Sequence, residues 1–312
     1  MKSIGRLSRT NIVMSKVSIA HFSDIHMCGI KNIPFWALFS KRLYGYVYWY
    51  VSRGKKYDFS ILCELEKDLT CEQCNHIVIT GDLTHLSLKE EFIMVQNWLK
   101  QLGGKDKITL VPGNHDFYVF RGKRYYEKAW DKYIESTDLC TVENKRFPFV
   151  RIFNDIAFVG VNSAVITPPF FAYGFLGKAQ LRDLEKLLTT ISDEYFIILL
   201  IHHPPLKGVA TSNNSLVDVK GLAEIFKGNK IRLVLHGHTH YFNISYIDCG
   251  INQIPVIGVP AVASRVNNNV GGYNIYYIEK LHKGWSLTVK RKVFSLEKRI
   301  FEVKEMKNIT IY

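Results

Sequence analysis

The chain has 312 residues, of which 47% are hydrophobic, and its glycines and prolines are scattered rather than clustered. These values exclude a disordered or low-complexity polypeptide and predict one globular domain over residues 1–312. Lys and Arg number 41 against 28 Asp and Glu, a formal net charge of +13, which favours polyanionic or phosphate-bearing partners.

The N-terminal stretch "MKSIGRLSRTNIVMSKVSIAHFSD" is basic but lacks the apolar core of a signal peptide. The six cysteines also lack the density and spacing of a disulfide-stapled secreted domain. A cytoplasmic protein is therefore expected.

Short apolar runs that end in polar residues predict strands along the first 240 residues. In chain order they are "KVSIAHFSD", "HIVITGD", "KITLVPGNHD", "DIAFVGVNS", "YFIILLIHHP" and "IRLVLHGHTH". Helix-like stretches such as 86–102 and 177–191 alternate with them, which is typical of a layered α/β fold. After residue 240 further strands are predicted at "ISYID", "NQIPVIG", "YNIYYIE", "WSLTVKRKVF" and "NITIY". In α/β folds the loops at strand ends carry the chemistry.

Metal-binding side chains collect at these strand ends. Asp24 and His26 are two residues apart at the end of an extended run, so their side chains leave the same face, and His238 and His240 repeat the arrangement. Other strand ends add Asp82, Asn114 and His202. Seven oxygen and nitrogen donors suit two divalent ions that share one carboxylate. Carboxylates with imidazoles favour manganese, iron or zinc.

The motifs "SDIH", "GDLTH", "GNHD", "HHPP" and "GHTH" resemble, in order and spacing, the five sequence blocks of the calcineurin-like metallophosphoesterases, over roughly residues 16–265. The resemblance implies a four-layer αββα sandwich of two mixed β-sheets flanked by helices, with two divalent ions, Mn²⁺ foremost. It implies one ion held by Asp24, His26 and His240, the other held by Asn114, His202 and His238, and Asp82 as the bridge.

The same resemblance implies that His115 is catalytic, since the matching histidine stabilises the transition state or protonates the leaving oxygen while a metal-activated water attacks phosphorus. Asp116 is expected to orient the His115 imidazole. A third ligand or a solvent-facing turn residue remain alternatives for His115. His85 and His203 are expected beside the site without acting as ligands.

Residues 31–58 form an aromatic and basic insertion between the first two blocks. One helical stripe is predicted there, formed by Trp36, Phe39, Leu43, Tyr46, Val47 and Tyr50. Ser40, Lys41 and Arg42 interrupt the apolar run, which argues against a membrane span. The insertion is therefore interpreted either as a lipid-binding lid that lies at a membrane surface, or as ordinary packing.

A second basic and aromatic segment, residues 117–130, follows the third block. Its Arg121, Lys123 and Arg124 are expected to meet a diphosphate or a nucleotide, or else to form a solvated basic face.

The insertion is similar to bacterial metallophosphoesterases that act on membrane-bound substrates, among them the UDP-2,3-diacylglucosamine pyrophosphatases of lipid A synthesis. This implies hydrolysis of a nucleoside-diphosphate lipid, UDP-2,3-diacylglucosamine, to lipid X and UMP. It also implies an anionic membrane surface as partner and peripheral association with the cytoplasmic side of the inner membrane. The better-known form of that enzyme has Arg where this chain has His115.

Two other interpretations stay open. A soluble phosphodiesterase for cyclic nucleotides, or less readily a nuclease, would use the same five blocks without a lipid surface. A binding module on a degenerate phosphoesterase fold would lack some of the metal-binding side chains. No obligatory protein partner is indicated, and nucleic acid is not the expected partner.

Overall fold

A computed structural model describes residues 16–29, 33, 35–137, 146–228, 230–250, 253–266 and 269–311. Within these ranges two six-stranded sheets and their flanking helices make up the fold. The expected architecture of two mixed sheets flanked by helices is confirmed.

The first sheet has the strand order β14-β13-β12-β1-β2-β3. Its strands are β1 (Lys16–Phe22), β2 (His76–Ile79), β3 (Ile108–Leu110), β12 (Gly272–Lys280), β13 (Trp285–Ser295) and β14 (Ile300–Ile311). The three strands β1, β2 and β3 are parallel, and the C-terminal strands are added antiparallel. The carboxyl ends of β1, β2 and β3 therefore lie at one edge.

The second sheet has the order β4-β5-β6-β7-β9-β8. Its strands are β4 (Phe149–Phe153), β5 (Ile156–Gly160), β6 (Phe196–Leu200), β7 (Ile231–His236), β8 (Asn243–Asp248) and β9 (Gln253–Gly258). The inner four, β5, β6, β7 and β9, are parallel. A small hairpin pairs β10 (Arg265–Val266) with β11 (Asn269–Val270).

Seven α-helices lie within the described residues. They are α1 (Arg42–Val51), α2 (Ser60–Glu72), α3 (Lys89–Leu102), α4 (Gly104–Lys107), α5 (Phe120–Trp130), α6 (Gly177–Thr190) and α7 (Val219–Gly228). Short 3₁₀ turns occur at Phe35–Leu38, Arg53–Lys55, Asp131–Tyr133 and Ser212–Asn214. None of these helices combines the length and apolar character needed to cross a bilayer.

Burial on both faces explains the continuous apolar runs of the central strands. In β6, Phe196, Ile198 and Leu200 join the core between the sheets, whereas Ile197 and Leu199 pack with the buried leucines of α6 and α7. Such strands read as unbroken hydrophobic segments, which is why the sequence identified them.

The insertion departs from the single helical stripe that was expected. The chain forms a 3₁₀ turn over Phe35–Leu38, breaks at residues 39–41, and starts α1 only at Arg42. Ser40 accounts for the break, because its hydroxyl donates to the carbonyl of Ala37 and accepts the N–H of Arg42. Residues 31, 32 and 34 and the side chain of Trp36 lie outside the described part of the chain.

Candidate metal centre

The loops that follow the strands bring the seven predicted donors to one edge of the two sheets. Five of these donors adopt left-handed backbone conformations, with φ between 50° and 69°: Asp24, His26, Asp82, His238 and His240. Such a conformation costs a residue with a Cβ about 1–2 kcal/mol. Sparsely populated conformations persist where the surroundings hold them, and they are concentrated at functional sites.

Glycines let these loops approach one another. A Cβ on Gly81 would lie 2.5 Å from the backbone nitrogen of Gly113 and 2.8 Å from Nδ1 of His202. The "GD" and "GN" dipeptides of the second and third blocks are therefore required by the close contact between two loops.

The first group of donors comprises Asp24, His26, Asp82 and His240, whose donor atoms all lie within 4.8 Å of one another. Nε2 of His240 lies 3.1 Å from Oδ1 of Asp24 and 3.2 Å from Nε2 of His26. Nδ1 of His240 lies 3.3 Å from the hydroxyl of Tyr57. When that nitrogen donates to the hydroxyl, the lone pair of Nε2 points at a carboxylate oxygen.

Two facing acceptors repel each other unless a cation lies between them. Oδ1 of Asp24 is fully buried and has no hydrogen-bond donor among the described residues. A buried carboxylate oxygen without a donor is costly. The chemistry of this group therefore fits a divalent cation.

The second group of donors lies on the other side of Asp82. Oδ1 of Asn114 is 3.1 Å from Nε2 of His202 and 3.1 Å from Nδ1 of His238. Nε2 of His202 lies 3.5 Å from Oδ1 of Asp82, whereas Nε2 of His26 in the first group lies 3.9 Å from Oδ2 of Asp82. One carboxylate thus faces both groups, as a bridging ligand must.

Electrostatics in the site favour positive charge. Burial by itself would lower the pKa of His202, but the carboxylate of Asp82 outweighs it and raises this pKa to about 9. Burial lowers the pKa of His238 to about 3, and the proximity of His202 adds to the effect. The Asp82 carboxylate therefore stabilises positive charge at the His202 end of the site, at a place suited to a metal cation.

Both ring nitrogens of His203, the residue after His202, lie within hydrogen-bond distance of protein oxygens. Its Nδ1 lies 2.8 Å from the hydroxyl of Ser163, and its Nε2 lies 3.0 Å from the carbonyl oxygen of Ala172. With both ring nitrogens engaged by protein groups, His203 packs beside the second group of donors.

His115 lies against the first group of donors. Its ring centroid is 4.7 Å from that of His26, and its backbone N–H donates to Oδ1 of Asp82 over 2.7 Å. Nδ1 of His115 lies 2.6 Å from the carbonyl oxygen of His85, so this nitrogen carries the hydrogen. Nε2 then carries the lone pair of the neutral ring.

The expected role of Asp116 as the group that orients the His115 imidazole is wrong. Its carboxylate accepts the backbone N–H and the hydroxyl of Thr84 at 2.9 and 3.0 Å, and the N–H of Gly113 at 2.9 Å. The two adjacent side chains leave the loop in different directions, so the carbonyl of His85 holds the imidazole instead. Burial, with Asp82 nearby, raises the pKa of Asp116 to about 7.

Arg42 was expected to contact substrate, and the structure contradicts this. Its side chain is buried and donates from Nε to the carbonyl of Leu86 at 2.8 Å and from the second guanidinium nitrogen to the carbonyl of Ser87 at 2.5 Å. Arg42 therefore fastens α1 to the loop after Asp82. The neighbouring Lys41 is half-buried and donates to the hydroxyl of Thr167 at 2.8 Å.

The other substrate-contact candidates differ in exposure. Tyr46 is half-buried and packs with Leu86 and Tyr118. The exposed ones are Phe39, Leu43, Val47 and Tyr50 in the insertion and Arg121, Lys123 and Arg124 on α5.

Sequence reasoning missed residues 164–175, which carry the exposed side chains of Ile166, Phe170, Phe171 and Phe175. The Phe170 ring lies 5.2 Å from that of Tyr44 on α1, so the loop extends the aromatic surface of the insertion. The run "TPPFFAYGF" was the available signal. Tyr57 and Trp49, which reach the site from the end of the insertion, were also missed.

Comparison with known proteins agrees with this geometry. Residues 17–242 match the model of a family described as calcineurin-like phosphoesterase. A dimetal phosphatase from Danio rerio superposes with a TM-score of 0.64 at 12% identity, covering 95% of this chain and 99% of the other. A purple acid phosphatase from yellow lupin (Lupinus luteus) seeds gives 0.61 at 12% identity, covering 95% and 54%. No curated protein gives a significant sequence match.

Proposed function

The chain belongs to the calcineurin-like phosphoesterase family, and from this membership we propose that it hydrolyses UDP-2,3-diacylglucosamine to lipid X and UMP at an anionic membrane surface. The family establishes metal-dependent phosphoester hydrolysis. The lipid-linked substrate, the membrane and a location on the cytoplasmic side of the inner membrane are the proposed part.

The residues of the metal centre would have different roles in the reaction. Two divalent cations, Mn²⁺ foremost, would be held by the two groups of donors, and would acidify a water molecule and neutralise phosphoryl charge. With Nδ1 bonded to the His85 carbonyl, Nε2 of His115 in its imidazolium form would donate a hydrogen bond or a proton to an oxygen of the phosphate. Asp82 fixes the His115 backbone, and the His85 carbonyl fixes its tautomer.

One observation supports a lipid substrate above the others: exposed apolar side chains on and around α1, the helix whose Trp49 packs on His85 beside the metal centre. We call this set of side chains the aromatic rim, and define it as Phe39, Leu43, Tyr44, Val47 and Tyr50 of the insertion with Phe170 and Phe171. The exposed fractions are 84% for Phe39, 77% for Tyr50 and 80% for Phe170. The rings of Tyr44 and Phe170 lie 5.2 Å apart and link the two segments. Large exposed apolar patches usually mark a binding site for a protein or a membrane.

Basic side chains lie on α5 and just before α1. Arg121, Lys123 and Arg124 are exposed on α5, the helix that begins five residues after His115. Lys41 lies where the insertion meets the His115 loop, with Nζ 4.4 Å from the ring centroid of Tyr118. Aromatic rings with cations beside them suit the interface of an anionic bilayer, where each nearby Lys or Arg contributes about 1 kcal/mol.

The direct test is Mn²⁺-dependent release of UMP from UDP-2,3-diacylglucosamine in mild-detergent micelles, with cyclic AMP and bis(p-nitrophenyl) phosphate as parallel substrates. Selective UMP release is the expected result. Turnover of cyclic AMP alone, without detergent, would replace the proposal with the soluble phosphodiesterase that uses the same centre.

A rim variant separates lipid recognition from the chemistry. Phe39→Ser with Phe170→Ser should lower kcat/KM on the lipid substrate by at least about 10-fold, through loss of two large apolar contacts, and leave bis(p-nitrophenyl) phosphate turnover unchanged. The matched control is Ile300→Ser with Met306→Ser, two exposed apolar residues on β14. Equal loss in both double variants would contradict a specific role for the rim.

A further inference from the structure

Three nearly parallel aromatic rings, those of His85, His115 and Tyr118, form a stack, and Trp49 packs on its His85 end at an interplanar angle of 51°. Trp49 of α1 packs on His85 with ring centroids 4.8 Å apart, and His85 stacks on His115 at 5.3 Å and 14°. His115 stacks in turn on Tyr118 at 5.3 Å and 8°. The imidazole assigned to phosphate chemistry is thus held between two nearly parallel rings.

Both ends of this ring stack are fixed by the insertion. Trp49 belongs to α1, and on the far side Nζ of Lys41 lies over the Tyr118 ring, while the Tyr118 hydroxyl donates to the carbonyl of Lys41 at 3.4 Å. Between them Gly45 is buried, and a Cβ there would lie 2.5 Å from Cδ2 of Leu86. Residues 41–51 therefore hold the His115 stack from both sides.

The stack restrains a motion that the hydrogen bond alone leaves open. The hydrogen bond from Nδ1 of His115 to the His85 carbonyl fixes the tautomer, but such a bond does not by itself oppose tilting of the ring about its axis. The rings of His85 and Tyr118, which pack nearly parallel to the imidazole, oppose that tilt. Catalytic groups must be held within about 0.5 Å and 10–20° of the productive geometry by their supporting contacts.

We propose that Trp49, His85 and Tyr118 are positioning residues for His115, so that α1 belongs to the catalytic apparatus as well as to the lipid-facing surface. This inference rests on the role given to His115 above. It does not depend on the identity of the lipid substrate. Substitutions in α1 should consequently change the turnover of a small water-soluble ester.

The test compares Trp49→Ala with Trp49→Phe on bis(p-nitrophenyl) phosphate. Trp49→Ala should lower kcat about 10-fold with KM and metal content unchanged, and Trp49→Phe should restore most of the rate because it keeps a ring on His85. A fall in metal content that parallels the fall in rate would overturn the proposal, since the effect would then lie in the metal centre.

Phe153→Ala is the matched control. Phe153 is also half-buried, and its ring lies 5.1 Å from that of His76, a buried histidine bonded to Thr109 outside the centre. Its loss removes an aromatic-histidine contact of the same kind without touching His115. A 10-fold fall in kcat for this variant as well would assign the effect to general loss of packing and overturn the positioning role.

A double-mutant cycle gives the decisive readout. In a His115→Ala background, Trp49→Ala should cost less than about 2-fold further, because the group that it positions is gone. Tyr118→Leu should behave in the same way and serves as the second variant if Trp49→Ala folds poorly. Fully additive losses would overturn positioning and leave the proposed function intact. Full activity of His115→Ala itself would instead remove the role given to His115 and overturn the positioning proposal with it, whereas the proposed function would still be judged by UMP release.

Discussion

Asp82 is the residue on which the two groups of donors converge, since one of its oxygens faces His202 and the other faces His26. The same carboxylate accepts the backbone N–H of His115. The ordered motifs of the sequence identified the donors and His115. They could not identify the support of His115, because the carbonyl of His85 and the rings on either side reach it through tertiary contacts that no local pattern encodes.

Asp82→Ala and His115→Ala should fail in different ways. Removing Asp82 takes away the one carboxylate shared by both groups of donors, so metal content should fall together with activity. His115→Ala should keep its metal and lose turnover by the 10²–10⁴-fold typical of a lost general acid or base. Elemental analysis beside steady-state kinetics distinguishes the two, and full metal content in Asp82→Ala would argue against a bridging role.

The buried carboxyl group of Glu91 should make the stability of the fold depend on pH. Its buried carboxyl accepts the N–H groups of Leu86 and Leu88 at the start of α3, and burial raises its pKa from 4.5 to about 7. The folded state therefore holds the proton more tightly than the unfolded state. The free energy of unfolding should fall as pH rises from about 4.5 to 7 and stay level above that.

Glu91→Gln removes this titration while keeping an acceptor for the helix start. The free energy of unfolding of the wild type relative to this variant should fall by up to about 3 kcal/mol between pH 4.5 and pH 8. Urea unfolding at several pH values measures it. A difference that stays constant across the range would mean that Glu91 is ionised in the folded protein.

At the scale of elements, α1 shows where helical periodicity misleads. Large apolar residues at three- and four-residue spacing predicted one stripe, yet Arg42 and Gly45 are the buried positions of this helix. Gly45 is buried because it lets the backbone approach Leu86, and Arg42 because two loop carbonyls take its guanidinium. Periodicity ranks residues by hydrophobicity, so it assigns both to the solvent side.

Gly45→Leu should displace α1 from the loop that carries His85. Its side chain has no room against Leu86 and Tyr118, so kcat on bis(p-nitrophenyl) phosphate should fall about 10-fold or more, as for Trp49→Ala, and backbone amides of residues 42–51 should exchange faster with solvent. Gly228→Leu, at the end of α7 with nothing within 4 Å of its Cβ position, is the control. Unchanged exchange and rate in Gly45→Leu would mean that the contact yields without cost.

Strand β14 is an element whose length the sequence pattern underestimated. Only "NITIY" was predicted as strand, whereas the element extends over Ile300–Ile311 and is mostly exposed. Its lysines and glutamates are typical of an edge strand, and pairing with β13 rather than burial forms it. A pattern based on apolar alternation has nothing to detect there.

At the scale of the whole molecule, buried strands and polar strand ends are local signals that predicted a layered α/β fold, whereas the two-sheet architecture was expected from the resemblance of the five motifs to the calcineurin-like metallophosphoesterases. That residues 1–312 form one domain stays a prediction. The excess of 13 positive charges does not predict any particular strand, helix or loop. It acts through the field around the protein, and its consequence is measurable as association with an anionic surface.

Binding to vesicles should therefore depend on both charge and the aromatic rim. Sedimentation with phosphatidylglycerol vesicles should be strong at low ionic strength, at least about 10-fold weaker in 0.5 M salt because charges are screened within a few ångströms, and weak with phosphatidylcholine alone. The Phe39→Ser, Phe170→Ser variant should lose affinity at every salt concentration. Salt-independent binding to both lipids would contradict an electrostatic contribution.

The left-handed conformations of five donor residues also bear on how this protein can evolve. Glycine adopts that conformation without penalty, so replacing a donor by glycine removes strain at the same step that removes a ligand. That relief, about 1–2 kcal/mol per site, opposes the cost of the cavity and the lost hydrogen bonds where the donor is buried, as Asp24, His26 and Asp82 are. For a lineage that keeps the fold but no longer needs the reaction, glycine is therefore the replacement that the backbone of these loops accepts with least strain.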